Sequence, residues 1–560
     1  MIRLSLAILI VFLSVFPLFA QEVDVSWVKR YNGSGNGGEN ALDLEIDDSG
    51  NVYVTGYSPG YLTSADYATI KYYPDGETAW VRRYNGPVNA YDAARALTVD
   101  ISGNVFVTGN SPGAGTSDDI TTIKYNPEGK QQWLARYDGL ESNTDRATDI
   151  IVAQSGNIYV TGVSGAQPYV DYVTIKYTKK GKELWSSRYN GPGHMQDEAR
   201  ILAVDGSENI YVTGASVGSQ TSFDFATIKY SKKGDELWVK RYNGPVNGFD
   251  EATDMVLDNT GNIYVAGGSD GEGKNRDYLT IKYLPDGDTA WVRRYNGPGN
   301  SFDQIQAIAV DDSGNVYVTG ESLGKNGSSD YATIKYYPDG GVAWVERYDG
   351  SGKGNDYAKA IALDTSGNVY VTGFCLNAET SYDYVTIKYH PDGKTAWVKS
   401  YNGTGNRVDW AADMAVDAFN NIYVTGRSDG SGTAYDYATI KYTQFPKRID
   451  TLFFFAYSAV DLIIKDPNGD SIGINFNTIP QASYNTGMDI DQDGREDDKI
   501  SIPDPVAGKY WFRIIPESSV VNEHYSLTVK MSKGEEQYLI VLHPIPEKGK
   551  TDTLSYTLTR

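Results

Sequence analysis

A period of about 53 residues, repeated eight times, constrains this chain more than any other feature in it. The string SGNVYVTG or a close variant places its Asn at Asn51, Asn104, Asn157, Asn209, Asn262, Asn315, Asn368 and Asn421. A Trp keeps step at Trp27, Trp80, Trp133, Trp185, Trp238, Trp291, Trp344 and Trp397. A third string, DYATIKY in its commonest form, supplies a Tyr to each unit from Tyr72 to Tyr442. Strand-like repeats of this length form propellers or related arrays, because one unit alone cannot bury its apolar faces.

One unit reads as four strands. Leu42, Leu44 and Ile46 alternate with Asp43, Glu45 and Asp47, the period of a strand. Asp48-Ser49-Gly50 makes a tight turn, and Val52 to Thr55 is β-branched or aromatic, a second strand. A loose loop over 56–65 leads to a third strand at Tyr67 to Tyr72. Pro74-Asp75-Gly76 turns the chain into a fourth, Trp80 to Tyr84. Four short antiparallel strands per unit make a propeller blade, and the recurrent Trp and Tyr then serve packing between blades.

The chain ends define the closure. The repeat region opens on a lone fourth strand, Trp27 to Tyr31, and its last unit stops after a third strand, Asp436 to Tyr442. The first strand is expected to complete the last blade and remove both exposed edges. The expectation is an all-β chain: an eight-bladed β-propeller over 26–442, closed by its N-terminal strand. A seven-bladed ring ranks second, since it leaves a unit unpaired. A linker at 443–448 and a small β-sandwich over 449–560 follow.

Units such as Val310 to Gly320 (VDDSGNVYVTG) followed by Ser328 to Tyr348 (SSDYATIKYYPDGGVAWVERY) resemble the SBBP repeats of bacterial β-propellers. The resemblance covers about 26–442. It implies an exported propeller and transfers no catalytic motif; the family's name implies seven blades, from which eight units depart.

In such a blade the SGN and PDG turns share one rim, and they are nearly uniform. The opposite rim carries variable segments, such as Ser58 to Ser64, Gly165 to Tyr169 and Asp270 to Asn275. Variable loops on a rigid scaffold are where binding usually resides. Two carboxylate positions recur on that rim. Glu39, Asp92, Asp145, Asp197, Asp250, Asp303, Asp356 and Asp409 precede the innermost strand; Asp66, Asp119, Asp171, Asp224, Asp277, Asp330, Asp383 and Asp436 begin the third. The first set is a candidate ligand ring at the channel mouth. The competing reading, which ranks first, has these side chains bonded to backbone or to the cations of neighbouring strands, such as Arg30 and Arg83. Tyr91, Phe249, Phe302, Tyr357 and Trp410 stand beside them, irregularly among units, and could stack on sugar rings, although rim packing ranks first for them too.

The net charge of −22 disfavours nucleic-acid partners and anionic lipid surfaces. Residues 1–20 (MIRLSLAILIVFLSVFPLFA) read as a secretory signal peptide, with a cationic start, a short apolar run and Ala20 before the cleavage point. The expectation is therefore a secreted, periplasmic or cell-surface protein without membrane insertion, of bacterial type. Cys375 is the one cysteine, so no intrachain disulfide forms, and a buried inert thiol is expected. The four histidines lack ligand spacing. GxSxG occurs six times, first at Gly56 to Gly60, but each copy leads into another strand rather than a helix.

In the tail, strands are expected at Leu452 to Ala456, Val460 to Ile464, Tyr510 to Ile515, Tyr525 to Lys530, Tyr538 to Leu542 and Ser555 to Leu558. Asp489, Asp491 and Asp493 with Gly494 match the start of a calcium loop, and Asp497 could supply a further ligand. A calcium site and a solvated acidic turn fit equally, because position twelve is Ile500. No catalytic residues are assigned. A non-enzymatic binding protein with a protein or carbohydrate ligand is the first functional expectation. A glycan-active enzyme using rim carboxylates is second and a quinoprotein-like enzyme third.

Overall fold

The computed structural model describes residues 21–139, 142–273 and 275–446, and the backbone of strands between 451 and 558. Val25–Thr443 make one compact unit; the tail strands belong to another. The expected signal peptide lies outside the described residues.

The repeat unit is a propeller of eight four-stranded antiparallel sheets. Blade 1 spans 40–84, blade 2 93–137, blade 3 144–189, blade 4 197–242, blade 5 250–295, blade 6 303–348 and blade 7 356–401. Blade 8 takes Asp409–Val416, Ile422–Asp429 and Tyr435–Pro446, and its outermost strand is the N-terminal Gln21–Tyr31. The ring is thus closed by its first strand, as the repeat count requires. The third strand of blade 8 extends to Pro446, into the segment expected as a linker.

Two features depart from the sequence reading. In blade 1 the second strand runs Val52–Pro59 and the third starts at Ala65, because Ser58 pairs directly with Asp66. The expected loose loop is therefore short. The innermost strands also carry a β-bulge, in blade 1 between Ala41 and Asp43. The bulge breaks the alternation: Ala41 and Leu44 are buried, whereas Leu42 is half-buried. It also sets Ala41 out of step with the face that carries Asp43, which matters below.

Blades pack through a repeated device. Trp27 Nε1 donates to the Pro74 carbonyl of blade 1, and Trp80, Trp133, Trp185, Trp291 and Trp344 reach the matching carbonyl of the next blade at 3.0–3.2 Å. The glycine of that turn lies under the indole. Gly76 has φ +87°, and a Cβ there would stand 2.8 Å from the Trp27 ring. The third-strand Lys lies over the second-strand Tyr, as with Lys71 over Tyr53 at 5.1 Å. Each blade core is apolar, Val52, Val54, Ala68 and Ile70 in blade 1 being at most 1% exposed.

Ten tail strands form two five-stranded antiparallel sheets. One has the order Ser483–Met488, Asp497–Pro503, Thr451–Tyr457, Ser526–Lys533, Glu536–Leu542. The other has the order Phe476–Asn477, Ser471–Gly473, Val460–Lys465, Gly508–Pro516, Asp552–Leu558. Asp489, Asp491 and Asp493 lie outside the described residues; Asp497 begins its strand.

Candidate functional site at the channel mouth

The first set of rim carboxylates is built into turns. Glu39, Asp92, Asp197, Asp250, Asp303, Asp356 and Asp409 are fully buried and Asp145 nearly so. Each accepts the backbone N–H of a glycine six residues earlier, Gly33 for Glu39 through Gly403 for Asp409, at 2.5–3.0 Å. Burial raises all of them, Glu39 to about 7 and Asp356 to about 6. They do not converge on open solvent, so their geometry matches the turn-clamping reading.

The second set is paired. Arg30, Arg83, Arg136, Arg188, Arg241, Arg294 and Arg347 meet Asp436, Asp66, Asp119, Asp171, Asp224, Asp277 and Asp330 at 2.7–3.0 Å. In blade 1, Arg83 also donates to the Ser58 hydroxyl and carbonyl and to the Tyr31 hydroxyl. Ser58 is the serine of a GxSxG string; it is buried and serves an arginine. Blade 7 differs: Ser400 stands where the arginine would be, and Asp383 accepts from Asn377 and Thr380 instead. Cys375 replaces the serine there; it is buried, and desolvation pushes its thiol up.

At two junctions the turn asparagine is replaced by aspartate. Asp119, Asp138 and Asp145 each bring one carboxylate oxygen within 4.8 Å of the others, and so do Asp330, Asp349 and Asp356. The two triads stand four blades apart, on opposite sides of the ring.

A carboxylate group that strand alternation concealed lines the channel. Asp43, Asp149, Asp254 and Asp413 follow the bulge in blades 1, 3, 5 and 8, where the other blades carry Ala96, Ile201, Ala307 and Ala360. Each clips its own blade to the next. Asp149 accepts from Ile150 N and from Leu202 N of blade 4, both at 2.8 Å. Asp413 accepts from Leu44 N across the ring seam at 2.9 Å. Part of each side chain's surface is open to the channel, yet the inner strands exclude bulk water. Desolvation therefore raises Asp149 and Asp254 to about 7. It also raises Asp43 and Asp413, which are hydrogen-bonded to each other.

The mouth itself is where the eight copies diverge. The residue after the second-strand glycine is Tyr57, Asn110, Val163, Ala215, Gly268, Glu321, Phe374 or Arg427. Its partner on the innermost strand is Asn40, Ala93, Arg146, Glu198, Glu251, Gln304, Tyr357 or Trp410. This pair holds a different combination of residues in every blade, a variation visible in the sequence when the eight copies are aligned.

The mouth has two halves. Across blades 2–6 charges neutralise one another: Arg146 with Asp118, Arg200 with Glu198 and Glu251, Arg276 with Glu251. Phe249 packs on Phe223 at 4.9 Å beneath Arg276, and Phe302 is 43% exposed. Across blades 7, 8 and 1 aromatic rings dominate. Phe374 stacks on Trp410 at 5.1 Å and 20°, and Tyr357 and Tyr382 pack on Phe374. Arg427 lies 3.6 Å above the Trp410 ring and 4.7 Å from that of Tyr435. Tyr57 and Tyr91 continue the row at 5.4 Å. Grooves at the turn rim, such as that lined by Asp47, Lys71 and Pro127, are built from repeated residues.

The SBBP family, a beta-propeller repeat, matches residues 290–327 and 397–432. No curated protein matches the chain. Among solved structures, polysaccharide lyase Uly1 is 11% identical, covering 74% of this chain and 92% of that one with a TM-score of 0.39. A protein of unknown function from Dyadobacter fermentans is 10% identical, covering 75% and 99% with a TM-score of 0.37. Drosophila Plexin A in complex with Semaphorin 1b is 9% identical, covering 75% and 87% with a TM-score of 0.36. Likenesses this distant carry no functional information.

Proposed function

Starting from a closed propeller that carries SBBP repeats, we propose that the protein is an exported, non-enzymatic binding protein whose ligand sits at the channel mouth. One observation carries the reading: the paired strand positions beside this mouth hold a different combination in every blade, while the turns of the opposite rim keep a common frame, with Lys-Lys-Gly for Pro-Asp-Gly in blades 3 and 4. A scaffold needs its packing residues repeated, and only a binding surface gains from differing blade by blade. The rim carboxylates offer no support for glycoside cleavage, since they are engaged by glycine amides and arginines. The tail, a β-sandwich under this proposal, would serve attachment or stability, with calcium in its Asp489–Asp493 loop.

The test is a glycan and protein array probed with the full mature chain. Hits lost in a Tyr91→Ala/Phe302→Ala variant and kept in the turn-rim variant Asp75→Ala support the reading. Hits that survive the mouth variant and vanish with Asp75→Ala overturn it.

A further inference from the structure

Arg427 and Arg276 each lie against two aromatic rings at the mouth, but Arg276 is paired with Glu251 and, among the described residues, Arg427 is not paired. Blade 8 alone places an arginine after the second-strand glycine. Its guanidinium lies against the Trp410 and Tyr435 rings, and Trp410 is backed in turn by Phe374. Rings at 3.6 and 4.7 Å flank the guanidinium, so its N–H groups are what a polar partner meets. Among the described residues no carboxylate pairs with Arg427, whereas Arg146, Arg200 and Arg276 are paired.

Two donors here also lack acceptors. Arg427 Nε and Trp410 Nε1 are buried and have no hydrogen-bond partner. An unsatisfied buried donor costs about 1–3 kcal/mol, and more when charged. Folding alone does not favour such an arrangement, and desolvation accordingly lowers the Arg427 pKa. A guanidinium flanked by aromatic rings and lacking a counter-ion is complementary to an oxyanion such as a carboxylate.

We infer that Arg427, flanked by Trp410 and Tyr435, is a carboxylate-binding site for an acidic polysaccharide. This rests on the channel mouth being the binding face. The chain carries a net charge of −22, but salt screens its long-range repulsion of a polyanion and leaves the local contact with Arg427. The carboxylate follows from the guanidinium fork; the sugar follows from the flanking groups. Tyr57, Tyr357 and Tyr382 stand half-buried beside the stack, each with a phenol able to donate and accept. Sugar hydroxyls need that dual capacity. Tyr91 is 42% exposed and gives the next ring along a polymer a face to rest on.

The experiment is affinity electrophoresis and calorimetry of the full mature chain with polygalacturonate, its methyl ester and poly-glutamate. The wild type is expected to bind polygalacturonate and neither of the others. Arg427→Gln and Arg427→Lys should each weaken binding roughly 30-fold, because an amide lacks the charge and an ammonium lacks the fork. Melting temperature separates this from a structural role: Arg427→Gln should melt at or above the wild type, since it removes an unpaired desolvated charge. Equal binding of poly-glutamate, or a marked drop in melting temperature for Arg427→Gln, would overturn the assignment. Binding lost in Tyr91→Ala/Phe302→Ala yet intact in Arg427→Gln would overturn this site alone and leave the mouth as the binding face.

Discussion

Arg30 donates from Nε at 3.1 Å and from Nη2 at 2.9 Å to a single oxygen of Asp436, a residue 406 positions later. This is the same ion pair that Arg83 makes with Asp66 inside blade 1, but here it joins the two ends of the ring. Tyr31 packs edge-on against Tyr437 beside it, and Ser26 bonds to Thr443 further along the strand. The closure therefore reuses the contacts of an ordinary blade. Arg30→Ala should cost about 3 kcal/mol, as expected when one partner of a mostly buried pair is removed. Arg83→Ala should cost a similar amount. Urea unfolding of both variants checks this; an Arg30→Ala change below the measurement error would mean that the first strand does not close the ring.

Blade 7 offers the reverse test. Ser400 leaves Asp383 without the arginine found at this position in the other blades. Ser400→Arg should restore the pair and raise stability by about 1 kcal/mol, a typical gain for such a repair. Thermal melts of the variant and the parent decide it; a lower melting temperature would show that Asn377 and Thr380 already satisfy Asp383 fully.

Stability should fall as pH rises through neutrality. Glu39, Asp149 and Asp254 sit at about 7 in the fold, above the ordinary carboxylate range. The native state then binds more protons than the unfolded state between the two values, so these groups favour folding most below about pH 4 and lose that contribution by about pH 7. Melting temperature should decline from pH 5 to pH 8, and Asp149→Asn should flatten the decline. A wild-type profile that rises over this range contradicts the channel assignment.

The blade architecture was legible because its elements recur in seven or eight copies: Trp80, Pro74-Asp75-Gly76 and Val52 to Thr55 could be read as strand, turn and strand without any homologue. The channel group was not legible. Period-two alternation placed Asp43 with Glu45 on one polar face, and the structure keeps them together; the bulge between Ala41 and Asp43 instead sets Ala41 out of step with that face. A single extra residue in a strand leaves no mark in hydrophobic periodicity. The recurrence of the rim carboxylates reflects what the scaffold needs, as the Gly86 amide on Asp92 illustrates. The proposed site lies instead where the repeat breaks, at Arg427 and Trp410.

The tail makes its own prediction. If Asp489, Asp491 and Asp493 hold calcium, adding a chelator to the full chain should lower the melting transition of the tail and leave that of the propeller in place. Differential scanning calorimetry with and without chelator reads it; a tail transition that does not move sinks the calcium proposal.

Hydrogen–deuterium exchange of the full chain, with and without polygalacturonate, bears most directly on where the protein binds. The variable mouth as the binding face predicts slower exchange at residues 57–62, 89–92, 355–357 and 404–410, with the turns at 74–77 and 285–288 unchanged. Protection confined to those turns, with the mouth untouched, would contradict it.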